Sequence, residues 1–174
     1  MRIRKQNEEV FFIEDPIVNV DKESVHVLID RIGQSKTGRV RLCAHSDLSE
    51  PIHEMLILLS RNTYVRPHKH EGKVESFHIV YGQADVVIFD ENGNVTDLIK
   101  MGDFGSGKTF FYRLSSPRFH TVLVRSELVL IHETTNGPFD KRDTIYAPWS
   151  PAEDEEGGEQ YKADLDRELL ERSD

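Results

Sequence analysis

Through the middle of this chain, apolar and polar residues alternate in short runs with a period of two, the pattern of half-buried strands. Residues 39–45 set Val40, Leu42 and Ala44 against Arg39, Arg41 and His45. Residues 54–60 are apolar at nearly every position, which predicts a strand buried on both faces. Further strands are predicted over residues 63–70, 76–81, 84–90, 95–100, 109–114, 119–125 and 128–135. Turn residues separate them: Gly82-Gln83, Glu91-Asn92-Gly93, Gly105-Ser106-Gly107, Ser115-Ser116-Pro117 and Arg125-Ser126-Glu127. Many short strands at regular spacing predict a mainly β chain, an antiparallel sandwich or barrel, jelly rolls included.

Two stretches change to a helical period. Asp21 is placed to cap a helix running through Ser35, with Val25, Leu28, Ile29 and Ile32 on one stripe and Gly33 near its end. Near the C-terminus, Tyr161, Leu165 and Leu169 form a stripe over residues 160–172. This second stretch lies in an acidic segment containing Glu153, Asp154, Glu155, Glu156, Glu159, Asp164, Asp166, Glu168, Glu171 and Asp174. The expectation is a β domain over residues 1–150 with an N-terminal helix, then a solvated acidic tail over 151–174 carrying a short surface helix.

With 174 residues the chain suits one domain. Lys and Arg total 22 against 31 Asp and Glu, a formal charge of −9, which argues against nucleic acid as a partner. Cys43 is the single cysteine, so no intrachain disulfide forms, as suits a reducing compartment. The first ten residues are charged and lack the apolar core of a signal peptide. The longest apolar run, residues 55–59, is too short to span a bilayer. A soluble, cytoplasmic domain without a membrane partner is therefore expected.

The chemistry concentrates between Arg66 and His78. On a strand His68 and His70 share a face, close enough for two imidazoles to converge on one ion. Glu71-Gly72-Lys73 has turn character, and Glu75 on the returning strand can bring a carboxylate to the same point. Two histidines and a carboxylate form the facial set of non-haem iron sites, and the same set suits Mn, Ni or Zn. His120, just after a turn, is the best candidate for a fourth ligand. His78 faces away from Glu75 by strict alternation, and His53 reads as a loop residue after Pro51. By the same parity Tyr64 and Arg66 face the interior with His68 and His70, Phe77 joins Glu75, and Val122 joins His120. Gly102-x4-Gly107-Lys108-Thr109 matches a phosphate-loop pattern formally, but the following residues read as a strand where that loop needs a helix. Trp149, between two prolines, is expected to pack an extended segment onto the barrel.

The order His68-x-His70-x4-Glu75-x6-Gly82 resembles the first cupin motif, with Asn62 at the position of its leading glycine, and His120 matches the metal histidine of the second. Ser115, Pro117 and Val124 depart from the second motif. A narrower resemblance, to WbuC-type cupin-fold metalloproteins, rests on Arg39-x-Arg41, His45, Tyr64-Val65-Arg66-Pro67-His68-Lys69-His70, Glu75-Ser76-Phe77, Gly137-Pro138-Phe139 and 147–153, Ala-Pro-Trp-Ser-Pro-Ala-Glu. It covers residues 21–156. The resemblance implies a single cupin jelly-roll barrel holding one divalent metal ion (Fe, Mn, Ni or Zn) through His68, His70, Glu75 and His120. It also implies a setting in O-antigen or surface-polysaccharide biosynthesis.

The expected function is metal-dependent chemistry on a small anionic sugar or sugar-nucleotide substrate, as an isomerase or epimerase. Tyr64 or His45 would transfer protons, and Arg39, Arg41 and Arg66 would orient the charge. Whether Arg39 and Arg41 face inward or decorate an outer face stays open at this level. The alternatives are an Fe(II) dioxygenase and a non-catalytic binding module. A homodimer is expected, because sheet edges must be covered.

Overall fold

The computed structural model describes residues 1–153 and 157–172. Asp154, Glu155, Glu156 and Asp174 of the expected tail lie outside the described residues.

In chain order the elements are β1 (Ile3–Lys5), β2 (Val10–Ile13), α1 (Lys22–Ile32), β3 (Arg39–Cys43), β4 (Ile52–Ser60), β5 (His68–His70), β6 (Glu75–Tyr81), β7 (Gln83–Phe89), β8 (Val95–Gly102), β9 (Phe111–Leu114), β10 (Phe119–Val124), β11 (Leu128–Asn136), β12 (Thr144–Tyr146) and α2 (Gly158–Glu171). Among the described residues one sheet has the order β1-β2-β3-β4-β11-β6-β9 and the other β12-β5-β10-β7-β8. Their facing sides share a core that includes Ile79, Val86, Ile88, Val122 and Val124. The edge strand Ile3–Lys5 and its partner Val10–Ile13 were not expected; the first is charged at two of three positions and the second is a short apolar run.

The expected alternation in β3 is realised. Val40 and Leu42 pack outward with Leu58 and Leu130 beneath α1, against Leu28, Phe11 and Ile13. Asp21 caps α1 by accepting from the Ser24 amide at 2.9 Å, the side-chain bond that an exposed helix start needs. Burying this layer leaves Arg39 and Arg41 on the opposite, inner face.

The C-terminal segment departs from the solvated-tail expectation. In α2, Leu165 and Leu169 are buried with Val87, Phe89, Phe119 and Leu123, and Tyr161 and Trp149 pack alongside. Arg125 ties the helix down by donating to Asp166 at 2.6 Å and to Asp85 at 2.7 Å. Trp149 sits between Phe89 and Phe119 at ring distances of 5.1 and 5.7 Å and donates to the Glu91 carbonyl, so it packs the 146–150 segment as expected. Between Gly102 and β9 the chain makes a single 3-10 turn, not the helix that a phosphate loop requires.

Candidate metal centre

Strand β5 carries His68 and His70 on one face, while Lys69 points out to Glu91. Antiparallel pairing sets His120 of β10 directly opposite His68. The ligand-capable atoms of His68, His70 and His120 all lie within 4.8 Å of one another. Gly72, at φ +68, turns the chain so that Glu75 begins the strand that faces this cluster from the other sheet.

The backbone fixes which ring nitrogens face inward. His68 Nδ1 lies 2.8 Å from the Arg66 carbonyl, and His120 Nδ1 lies 3.0 Å from the Arg118 carbonyl. A nitrogen beside a carbonyl carries the proton, so in the neutral rings Nε2 is the lone-pair atom, as in metal-bound histidines held by an outer carbonyl. His70 Nδ1 contacts Thr144 Oγ1 at 3.2 Å.

Glu75 Oε1 is 2.7 Å from His120 Nε2, and Oε2 is 3.4 Å from His70 Nε2. Oε1 and His120 Nε2 are both buried, and neither makes an aligned hydrogen bond. Either a proton on His120 Nε2 or a cation bound by both groups reconciles this atom with the carboxylate. Burial opposes charge on Glu75, yet His120, His70 and His68 outweigh it and hold the carboxyl below the usual range. Burial also lowers the His120 pKa, but the Glu75 charge reverses this and raises it. Burial and the neighbouring His120 push His68 down to about 3, so it is neutral near pH 7, the form that binds metal. Three imidazoles thus form a cluster that can hold a divalent ion, and nitrogen donors of this kind suit Zn, Ni, Fe or Mn.

A cavity of about 520 Å³ opens beside the cluster, a size ordinary for small-molecule sites. The registers across β3, β4, β11 and β6 arrange its floor in rows. His53, Thr135 and Glu75 form the row nearest the metal cluster. Cys43, Met55, Glu133 and Phe77 form the next, then Arg41, Ile57 and Ile131, and last Arg39 and Leu59.

The residues expected in the site divide sharply. His45, Arg39 and Arg41 line the cavity together with His68, His70, Glu75 and His120. Tyr64 and Arg66 do not. Tyr64 donates to the Pro151 carbonyl at 3.0 Å and lies against Gly158 and Tyr161. Arg66 donates to Ser150 Oγ and the Ala147 carbonyl and covers the Tyr146 ring. The parity that placed them inward fails because β5 begins only at His68: Pro67 has no N–H for a ladder, and residues 63–67 are irregular. Val65 faces the cavity in their stead.

Two cavity residues were missed or misplaced. His53 is not a loop residue: it lies on β4, buried, stacked on His45 with ring centroids 4.0 Å apart. Glu133 on β11 is half-buried and lines the cavity; desolvation and then the Glu75 charge push its carboxyl up to about 7. The signal was available, since Glu133 shares parity with the apolar Val129 and Ile131. Burial and then Arg39 lower the Arg41 pKa.

Residues 20–101 match the model of a domain of unknown function (DUF6016). No curated protein matches the chain. Among solved structures, Protein SO0799 from Shewanella oneidensis aligns with a TM-score of 0.53 at 11% identity, over 69% of this chain and 82% of that one. Oxalate decarboxylase from Bacillus subtilis aligns at 0.46 and 21% identity, over 57% of this chain. The capsular polysaccharide assembling protein CapF from Staphylococcus aureus aligns at 0.45 and 16% identity, over 56% of it. The chain matches only 24% of the decarboxylase chain and 27% of CapF. The domain has a single cupin-type β fold. No helix among the described residues is long and apolar enough to cross a membrane.

Proposed function

We propose that this protein is a metal-dependent enzyme acting on a small anionic, sugar-type substrate. The observation that carries the reading is the continuity of the histidine cluster with a cavity that also holds Arg41 and Glu133. His68, His70 and His120 would hold a divalent ion, with Glu75 as the fourth ligand; such an ion supplies Lewis acidity to a substrate oxygen. Arg41 orients the substrate's charge. Glu133, with its carboxyl held near neutrality, accepts or returns a proton inside the cavity, and His45 is the second proton-transfer group. Isomerisation and epimerisation need only these parts. The sequence segments shared with WbuC-type proteins support a setting in surface-polysaccharide assembly. Pairing of two copies through an unpaired sheet edge, such as β9, completes the proposal.

Elemental analysis of untagged protein beside a His68→Ala/His70→Ala variant tests the reading. Near-stoichiometric metal, lost in the variant, supports it. Zinc, nickel or manganese then directs the work to sugar-isomerisation screens. Iron directs it to oxygen-consumption assays, the mark of a dioxygenase. Metal with tight ligand binding but no turnover leaves a binding module, and no metal after reconstitution overturns the ligand set.

A further inference from the structure

The cations around the cavity are unequally committed. Both terminal nitrogens of Arg39 donate to the Glu153 carboxylate, at 3.1 and 3.4 Å. Lys73 donates to the carbonyls of Asn136 and Pro138 and lies 3.3 Å from Asp143. Arg66 is spent outside, as described above. Arg41 differs from all of these. Its Nε is buried without a hydrogen bond, and its guanidinium forms no ion pair among the described residues. Its row neighbours Ile57 and Ile131 offer it nothing, and the charges of Glu133 and Glu153 act on it without forming an ion pair. A half-buried guanidinium left in this state is costly, and an anion that reaches it from the cavity relieves it.

The surroundings also select the anion. One guanidinium fork matches one carboxylate bidentately. A phosphate dianion needs a second free cation beside the first; Arg39 is already neutralised by Glu153, and Lys141, the remaining cation lining the cavity, is exposed and lies in the turn before β12, on the metal-cluster sheet. Glu133, one row away, adds negative charge whenever it ionises.

We propose that Arg41 is the carboxylate anchor of the cavity, that its ligand is a small monocarboxylic acid, and that the Arg39–Glu153 pair disfavours phosphate esters. The inference rests on the metal-site reading for its other end. Arg41 and Glu75 are separated by three strand spacings, about 14 Å, and by four residues along the strands, about 14 Å. Glu133 lies on the diagonal between them. An acid held at Arg41 points its chain toward Glu133 and the histidine end of the cavity, and so needs oxygen functions beyond its carboxylate, as hydroxy acids and sugar acids have.

Calorimetric titration of zinc-loaded and metal-free protein with D-gluconate and with sorbitol 6-phosphate tests this, since both are six-carbon polyols with different anions. Wild-type protein is expected to bind gluconate at least about tenfold more tightly than the phosphate ester. Arg41→Met is expected to weaken gluconate by about tenfold or more in both metal states, while the melting temperature of the ligand-free protein does not fall. A purely structural Arg41 would lose stability instead. Glu153→Gln, by releasing Arg39, is expected to strengthen sorbitol 6-phosphate by about tenfold. Tighter phosphate binding by wild type, gluconate binding indifferent to Arg41→Met, or no gluconate binding by protein that holds zinc stoichiometrically would each overturn the anchor. Failure to bind zinc would strike the metal reading alone, because the Arg41 effect is also read in metal-free protein.

Discussion

Glu75 and His120 belong to different sheets, yet they meet at 2.7 Å where the two sheets face each other. The two facing atoms, Glu75 Oε1 and His120 Nε2, are buried and lack an aligned hydrogen bond. A cation held by both side chains would tie the two sheets together. Metal is therefore expected to raise the melting temperature. Free zinc at about one hundred times its dissociation constant stabilises by about 2.7 kcal/mol, and His120→Ala is expected to abolish that rise in a thermal scan.

Glu133 predicts a pH dependence for the metal-free protein. Its folded pKa of about 7 lies above the ordinary 4.5, so the folded state binds more protons between those values. Stability then falls as pH rises from about 4.5 to about 7, by an amount on the order of a few kcal/mol. Glu133→Gln is expected to flatten the dependence of melting temperature on pH in that window. An unchanged slope would remove Glu133 as the cause.

Gly93 sits at φ +89, and a Cβ there would lie 2.9 Å from the Trp149 ring. Gly93→Ala is expected to cost about 1–3 kcal/mol, from the left-handed backbone and the displaced indole. Denaturant unfolding followed by Trp149 fluorescence reads both effects at once.

Leu165 separates a docked helix from a solvated one. Only 5% exposed, it packs with Val87, Phe89 and Leu123. Leu165→Ala is expected to cost about 2–5 kcal/mol in chemical unfolding, whereas Leu170→Ala, at a position 71% exposed, should change little.

Most of the fold and the metal cluster were legible in the sequence. The His-x-His spacing, the glycine turn and the distant His120 depend on strand period and turn chemistry, which are local. Errors came where a period was extended beyond its strand. Counting parity through Pro67 misplaces Tyr64 and Arg66, and His53 falls outside the predicted strand because its start is read at Glu54, two residues after Ile52. Glu133 was passed over because a carboxylate in an apolar strand reads as a surface residue until its neighbours by parity are known to be buried. The docking of α2 was hidden by its many acids, which hold the solvent side while Leu165 and Leu169 face the barrel.

Strand β11 lies between β4 and β6 and contributes one residue to each of the three cavity rows nearest the metal cluster. A slip of one residue along it would carry Thr135, Glu133 and Ile131 out of the cavity and bring Thr134, His132 and Leu130 in. The slipped chain would keep its strand content while losing the polar floor. Circular dichroism would not distinguish the two populations. Ligand titration would, and the fraction of binding-competent molecules in a preparation is then a direct count of chains with correctly paired strands.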